Sequence, residues 1–439
     1  MISFRRDRPV LVFLLLIATL LLAATSAQAR DRLVRTAAEY DRAISAARPG
    51  DEVILADGRW HDFRMVVRGE GAQGRPITVR AQTPGGVKLT GRSDLRMAGR
   101  YLHVSGLHFT NGYAPGKEVI AFRIGRAVAN DSRLTDVAIT DYSKPRAQGD
   151  DKWVVLYGRG NRVDHSHFAG KTNLGATLAV RIDDPRGRDN RHRIDHNYFG
   201  PRPPLARNGG ETIRIGTSAQ AEHRSRTLVE RNIFDRTDGD AEIISVKSGA
   251  NMLRDNLFLR AAGTLSLRHG DDNRVEGNVF LGHGKVNTGG IRIINERQVV
   301  RDNYMEGLAG TGLRSALSVM NGIPGSLPHQ YEPVDRALIE RNSIINSRQV
   351  ALGAGADARR TAPPRNSVMR GNLLHGDDDL VRRDSDTSGI AMQDNRQGNA
   401  PLARATNGLL YPVDSSAGAP RDLAPPALAE VGTRWLPKR

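Results

Sequence analysis

Lys247 in DGDAEIISVKSG (238–249) and Arg268 in TLSLRHG (264–270) stand 21 residues apart, and the first run also carries Asp240 and Glu242. A neutral lysine can take a proton from carbon, an arginine can hold charge on a departing oxygen, and carboxylates can hold a divalent cation. Side by side, these groups suit β-elimination of an acidic polysaccharide, in which the C5–H beside a carboxylate is lost as the glycosidic bond opens. A single lysine or a pair of acids two residues apart would ordinarily be a solvated surface. What sets these apart is their phase in a repeat.

That repeat runs through most of the chain. RIDHNYF ends at Phe199, LVERNIF at Phe234, MLRDNLF at Phe258 and RVEGNVF at Phe280, followed by VVRDNYM and LIERNSI. RVDHSHF (162–168) is an earlier copy with Ser166 in the Asn slot, and the asparagines fall at 197, 232, 256, 278, 303 and 342. Spacings in this range mark solenoids, in which each unit buries its apolar side by stacking on the next. The expected fold is all-β: a single-stranded right-handed parallel β-helix (solenoid) with a short N-terminal capping α-helix. Each Asn is expected in a left-handed turn conformation, bonded to the Asn of the next coil.

Phase then groups the candidates. Asn208 lies 11 residues after Asn197, Glu242 10 after Asn232, Lys247 15 after Asn232, and Arg268 12 after Asn256. They share roughly one side of three successive coils, with strands about 4.8 Å apart. In TLSLRH, Leu265 and Leu267 alternate with Arg268, so Arg268 should point away from the core. Glu242 and Lys247 differ in parity, so a corner or bulge must lie between them.

The remaining chain supplies context. Residues 1–29 hold Arg5, Arg6 and Arg8, an apolar run from Val10 to Ala24, and Ala27-Gln28-Ala29, which reads as a signal peptide. The mature protein is therefore expected to be periplasmic or secreted, with no membrane insertion after cleavage. Residues 30–439 read as one β-helix domain. TAAEYDRAISAA (36–47) is expected to be an amphipathic helix with a Thr36/Glu39 capping box and an apolar face of Tyr40, Ala43, Ile44 and Ala47. DEVILADGRW is expected to begin the first strand, and the Pro- and Ala-rich stretch past about residue 400 to form an irregular C-terminal wrap. With no cysteine, a core of this size needs no disulfide.

The net charge of +16 falls to +14 without residues 1–29, so polyanions are the expected partners. Aromatics make up 5% of residues and no base-stacking platform or groove-reading helix is evident, which argues against nucleic acid. Arginine outnumbers lysine 56 to 8, which makes Lys247 conspicuous.

RIDHNYFGPRPPL (193–205), NGGETIRIG (208–216), DGDAEIISVKSG, GTLSLRHG (263–270) and NVFLGHG (278–284) together resemble polysaccharide lyase family 6, which contains alginate lyases and the dermatan-cleaving chondroitinase B. The likeness runs in order from roughly residue 30 to 320. It implies a calcium ion in the cleft, with Lys247 as Brønsted base, Arg268 as acid, and Asn208, Asp240 and Glu242 as metal ligands. It also implies an alginate-type substrate, with dermatan sulfate as the alternative. Asp240 stands where members carry Glu, which shortens the carboxylate's reach and is expected to weaken calcium binding. Arg214, His269 and Arg292 are candidates for gripping sugar carboxylates, and His269 is also a candidate for assisting the proton. Lys247 has to lose its proton against a reference pKa of about 10.4, which nearby cations and desolvation would favour. A hydrolase using Asp240 and Glu242, a C5-epimerase, and a polyanion-binding solenoid without turnover are the rival readings.

Overall fold

The computed structural model describes residues 29–182, 189–205, 208–413 and 416–438; the expected signal peptide lies outside them except for Ala29. Among the described residues, short strands stack into three long sheets of 14, 14 and 13 strands. One runs from Asp31–Val34 to Ile390–Gln393, with each strand paired in parallel to its counterpart one coil on. This is a parallel β-helix. Its interior is one apolar column, including Val163, Ile194, Val229, Leu253, Val275, Val300 and Ile339 from a single sheet.

Two ladders explain the repeat. Asn197, Asn232, Asn256, Asn278, Asn303 and Asn342 join side chain to side chain at 2.9–3.0 Å, and the line continues to Asn372 and Asn395. Ser166 fills the slot as expected, its backbone N–H donating to Asn197 Oδ1 at 3.0 Å. Beside this ladder, Phe199, Phe234, Phe258 and Phe280 stack with centroids 4.3–4.9 Å apart. The expected left-handed asparagine is corrected. The positive φ belongs to the residue before it, at His196, Arg231, Asp255, Gly277, Asp302 and Arg341. The preceding residue takes the turn, so the Asn side chain can reach the backbone inside the stack.

The helix, Ala37–Ser45, closes the first coils. Thr36 accepts from the Glu39 N–H, but Glu39 receives the Arg35 N–H in place of its Thr36 counterpart, so the capping box is half formed. Tyr40, Ala43 and Ile44 are buried, and the Tyr40 hydroxyl donates to the Val66 carbonyl. A strand at Asp31–Val34 precedes the helix and pairs with Glu52–Leu55, so the first strand starts earlier than expected. Its sequence, DRLV, gives no polar–apolar alternation, and only the partner strand specifies it. The C-terminal wrap is present. After an antiparallel hairpin (Leu402–Arg404 with Leu410–Pro412), the tail runs back towards the first coils. It is pinned by Ala419 N–H to Ser343, Gly432 N–H to the His196 carbonyl and Trp435 Nε1 to Asp136.

Four buried histidines give the fold an acid limit. Desolvation holds His108 and His167 at a pKa of about 4, and His192 and His269 at about 3. The unfolded chain takes these protons near pH 6.5 and the folded chain only near 3–4, so stability is complete above about 6.5 and is lost as pH falls towards 3–4. Burial raises Asp136, Asp255 and Asp271, which work the other way only where carboxyls titrate. Each histidine contributes at most about 1.4 kcal/mol per pH unit. The urea midpoint is therefore expected to fall markedly between pH 7 and pH 4.5; a flat midpoint would refute the argument.

Candidate active site

The other 14-stranded sheet carries the site. Arg214, Ser245, Ser266, Arg292 and Ser318 pair in register across successive strands, forming one outward row. The flanking positions, Ile213, Ile244, Leu265 and Ile291 on one side and Ile215, Val246, Leu267 and Ile293 on the other, enter the core. Lys247 follows Ser245 by two residues and pairs with Gly216 without a register break, so it too faces outward. Arg268 follows Ser266 by two residues, as the alternation predicted.

Two irregularities between the strands Glu242–Lys247 and Gly263–His269 shape this face. One lies between Glu242 and Ile244, and Ile243 and Ile244 both enter the core. That resets the parity and lets Glu242 share the outward face with Ser245 and Lys247. The second, between Val246 and Lys247, pairs Lys247 with His269 and leaves Arg268 as the extra residue beside it. Because Ser245 and Ser266 pair in register, Lys247 and Arg268, each two residues on, come up on adjacent strands of one face, offset by one residue at the shift.

Arg268 is half-buried. Its guanidinium lies 3.9 Å from the centre of the Tyr331 ring and donates to the Gln330 carbonyl at 3.3 Å, while Arg360 lies 5.1 Å from the same ring. Burial lowers its pKa, with Arg292 and Arg360 adding to the shift and Tyr331 and Glu242 opposing it. His269 is buried beside it, with Nε2 3.2 Å from Ser218 Oγ. Burial foremost, then Arg268, Lys247 and His329, drive its pKa to about 3, so it meets a substrate as a neutral imidazole.

The three metal candidates lie on neighbouring coils. Asp240 Oδ2 accepts the Gly210 N–H at 2.9 Å, which fixes the turn of the exposed Asn208 against it. A Cβ on Gly210 would sit 2.1 Å from the Gly239 carbonyl oxygen, so only glycine permits this approach. Asp240 Oδ1 accepts the Glu242 N–H, and Glu242 is ion-paired with Arg292. Arg292, expected to grip a sugar, is 4% exposed and held by that pair.

Sequence reasoning missed two supporting residues. Buried Arg202 donates to the carbonyls of Asn173, Gly175, Gly210 and Glu211, stapling the Asn208 turn to the coil below. Glu211 is 1% exposed, with Oε1 3.8 Å from Arg214 and Oε2 lacking a hydrogen-bond partner among the described residues. Asn208, Asp240 and Glu242 offer only oxygen donors, the donor chemistry calcium takes. Among the described residues no three His, Cys, Asp or Glu side chains converge as a metal cluster, so such a site depends on the Asn208 amide or on solvent for its remaining ligands.

Fold and site together define a parallel β-helix with Arg214, Lys247 and Arg268 on the outward face of one sheet and oxygen donors at their side. The chain belongs to the chondroitinase B family, whose model matches residues 34–416. Among solved structures, the PL6 family alginate lyase AlyGC is 48% identical with a TM-score of 0.91, covering 93% of this chain. This chain spans 59% of the length of AlyGC. A mannuronic acid specific polysaccharide family 6 lyase from human gut microbiota is 34% identical, with a TM-score of 0.78, covering 85% of this chain and 87% of its own. The PL6 family lyase Pedsa3628 from Pseudopedobacter saltans, 23% identical with a TM-score of 0.79 and covering 92% and 99%, shares the fold. No curated protein matches.

Proposed function

We propose that the protein is an exported polysaccharide lyase, periplasmic or secreted, that cleaves alginate by β-elimination. The observation that carries this is the placement of Lys247 and Arg268 two residues beyond the paired Ser245 and Ser266, on adjacent strands of one outward face. AlyGC and the gut enzyme act on alginate or mannuronate chains by their names, which supports this substrate over dermatan sulfate.

In this reading, Lys247 takes H5 of a uronate. The C5–H electron pair forms the C4=C5 bond, the C4–O bond breaks, and the departing oxygen takes a proton from solvent, to which Lys247 afterwards returns the one it took. Arg268 faces that oxygen and stabilises its charge; its arginine character makes it a poor donor but a permanent cation. Tyr331 and Gln330 hold the guanidinium in place. Arg214 serves as the grip on a sugar carboxylate. A calcium ion held by Asn208, Asp240 and Glu242 would neutralise the carboxylate whose enolate-like charge grows. The hydrolase reading has less support, because Asp240 spends both oxygens on backbone amides and Glu242 is paired with Arg292.

The test is ultraviolet absorbance during incubation with polymannuronate, polyguluronate, mixed alginate and dermatan sulfate, each with calcium and with a chelator. The expected outcome is a rising signal from the new double bond on alginate polymers, reduced by the chelator. Absence of signal on every polymer from folded protein would refute lyase activity; a rate indifferent to the chelator would refute the calcium role alone.

A further inference from the structure

Two strands N-terminal of Arg214, the same sheet borders a cavity of about 940 Å³ lined by Arg64, Arg96, Lys117, Arg123, Lys152 and Arg181. Among the described residues, Asp94 and Glu118 also line it. Asp94 holds Arg64 at 3.3 Å and Arg96 at 3.1 Å. Glu118 holds Arg96 at 3.0 Å and Arg123 at 3.5 Å, and accepts the Tyr157 hydroxyl at 2.6 Å. Both carboxylates are therefore fully engaged. Among the described residues, no hydrogen bond or ion pair reaches the ammonium of Lys117 or Lys152. Positive charge gathered in a concavity beyond its counter-ions repels itself and focuses a field that draws anions in.

The cavity is coupled to the cleft. Arg96 pairs through Ala121, Val155 and Ala179 to Arg214, placing it on the row that carries Ser245. Five strand spacings separate Arg96 from Ser245, about 24 Å. Lys152 stands nearer, and its pKa is lowered by burial and by Arg214 and Arg181, so its charge feels the cleft arginine.

We propose that this basin is a distal docking site for the carboxylates of the same uronate polymer, several sugars from the scissile bond, with Lys117 and Lys152 as its unengaged contacts. The substrate class rests on the lyase reading; the site itself rests on the cavity and its charge. Its consequence is a preference for long chains over short ones, because only a long chain reaches both places at once.

The test uses Lys247→Ala protein, which removes the proposed base and so prevents turnover during binding, with and without the pair Lys117→Gln and Lys152→Gln. Binding of a long oligomannuronate and of a mannuronate trisaccharide is measured by calorimetry at fixed ionic strength. The added pair is expected to weaken the long oligomer about tenfold, the size of one good charge-assisted contact. The trisaccharide should change by less than about twofold. Unchanged affinity for the long oligomer overturns the proposal, as does an equal loss for both lengths, which would report a general field. If protein with Lys247 intact forms no unsaturated product while the length-dependent loss persists, the lyase reading fails and the docking site stands.

Discussion

Lys247→Ala is expected to lower the rate of unsaturated-product formation by about 10³-fold or more, because a positioned general base supplies about 10²–10⁴ and, among the described residues, no second base of comparable strength stands beside it. His269 is the nearest alternative, yet burial fixes its pKa at about 3, which makes it a very weak base. Lys247→Arg should be as inactive as the alanine variant, since a guanidinium does not deprotonate. Arg268→Ala is expected to lose a similar factor, and Arg268→Lys to recover little, because a lysine cannot stack flat on Tyr331 as the guanidinium does at 3.9 Å. Residues acting in one step are not additive, so the double variant should be about as slow as the worse single one. Lys247 is half-exposed on a strand end, so its removal should leave the melting temperature nearly unchanged. A folded Lys247→Ala protein retaining more than about a tenth of the rate would remove the lysine from the mechanism.

Much of this was legible because a β-helix repeats its buried positions at each coil. Asn and Phe recur where the ladders need them, and counting from each Asn placed Lys247, Arg268 and Glu242 on one side. The count also showed that Glu242 and Lys247 could not share a flat face. It could not show that Ile243 and Ile244 both turn inward, since two consecutive isoleucines look alike whichever one is extra. Tyr331 was invisible for a different reason. It lies in the long excursion between Asn303 and Asn342, outside the repeat, and only folding returns it over Arg268. Arg202 was lost among 56 arginines, and nothing local separates a buried arginine from a solvated one. The mistaken conformation of the asparagines has the same root: propensity favours Asn in left-handed turns, but here the side chain is claimed by the stack.

Asn256→Leu should cost about 3–5 kcal/mol, a large part of the 5–15 typical of a folded domain. Asn256 is fully buried, and its Oδ1 accepts the Asn232 backbone N–H and Nδ2, both at 3.0 Å. Its Nδ2 donates to the Val229 carbonyl at 3.0 Å and to Asn278 Oδ1 at 2.9 Å. Leucine fills a similar volume but leaves the Asn232 N–H buried without its acceptor, at about 1–3 kcal/mol, and removes the amide's bonds to the Val229 carbonyl and Asn278 Oδ1. Asn256→Ser should cost less, because Ser166 occupies the same slot and its Oγ accepts the Val137 N–H at 3.2 Å. Asn395→Leu should also cost less, since that end of the ladder is partly exposed and water can replace the lost bonds. In a solenoid each coil depends on its neighbours, and Asn256 lies in the coil between Lys247 and Arg268, so the damage falls where the proposed chemistry is assembled. Heating the Asn256→Leu protein should therefore abolish activity before the far-ultraviolet circular dichroism of the whole helix is lost. Equal denaturant midpoints for Asn256→Leu and Asn395→Leu would show that burial of the ladder is not what holds these coils together.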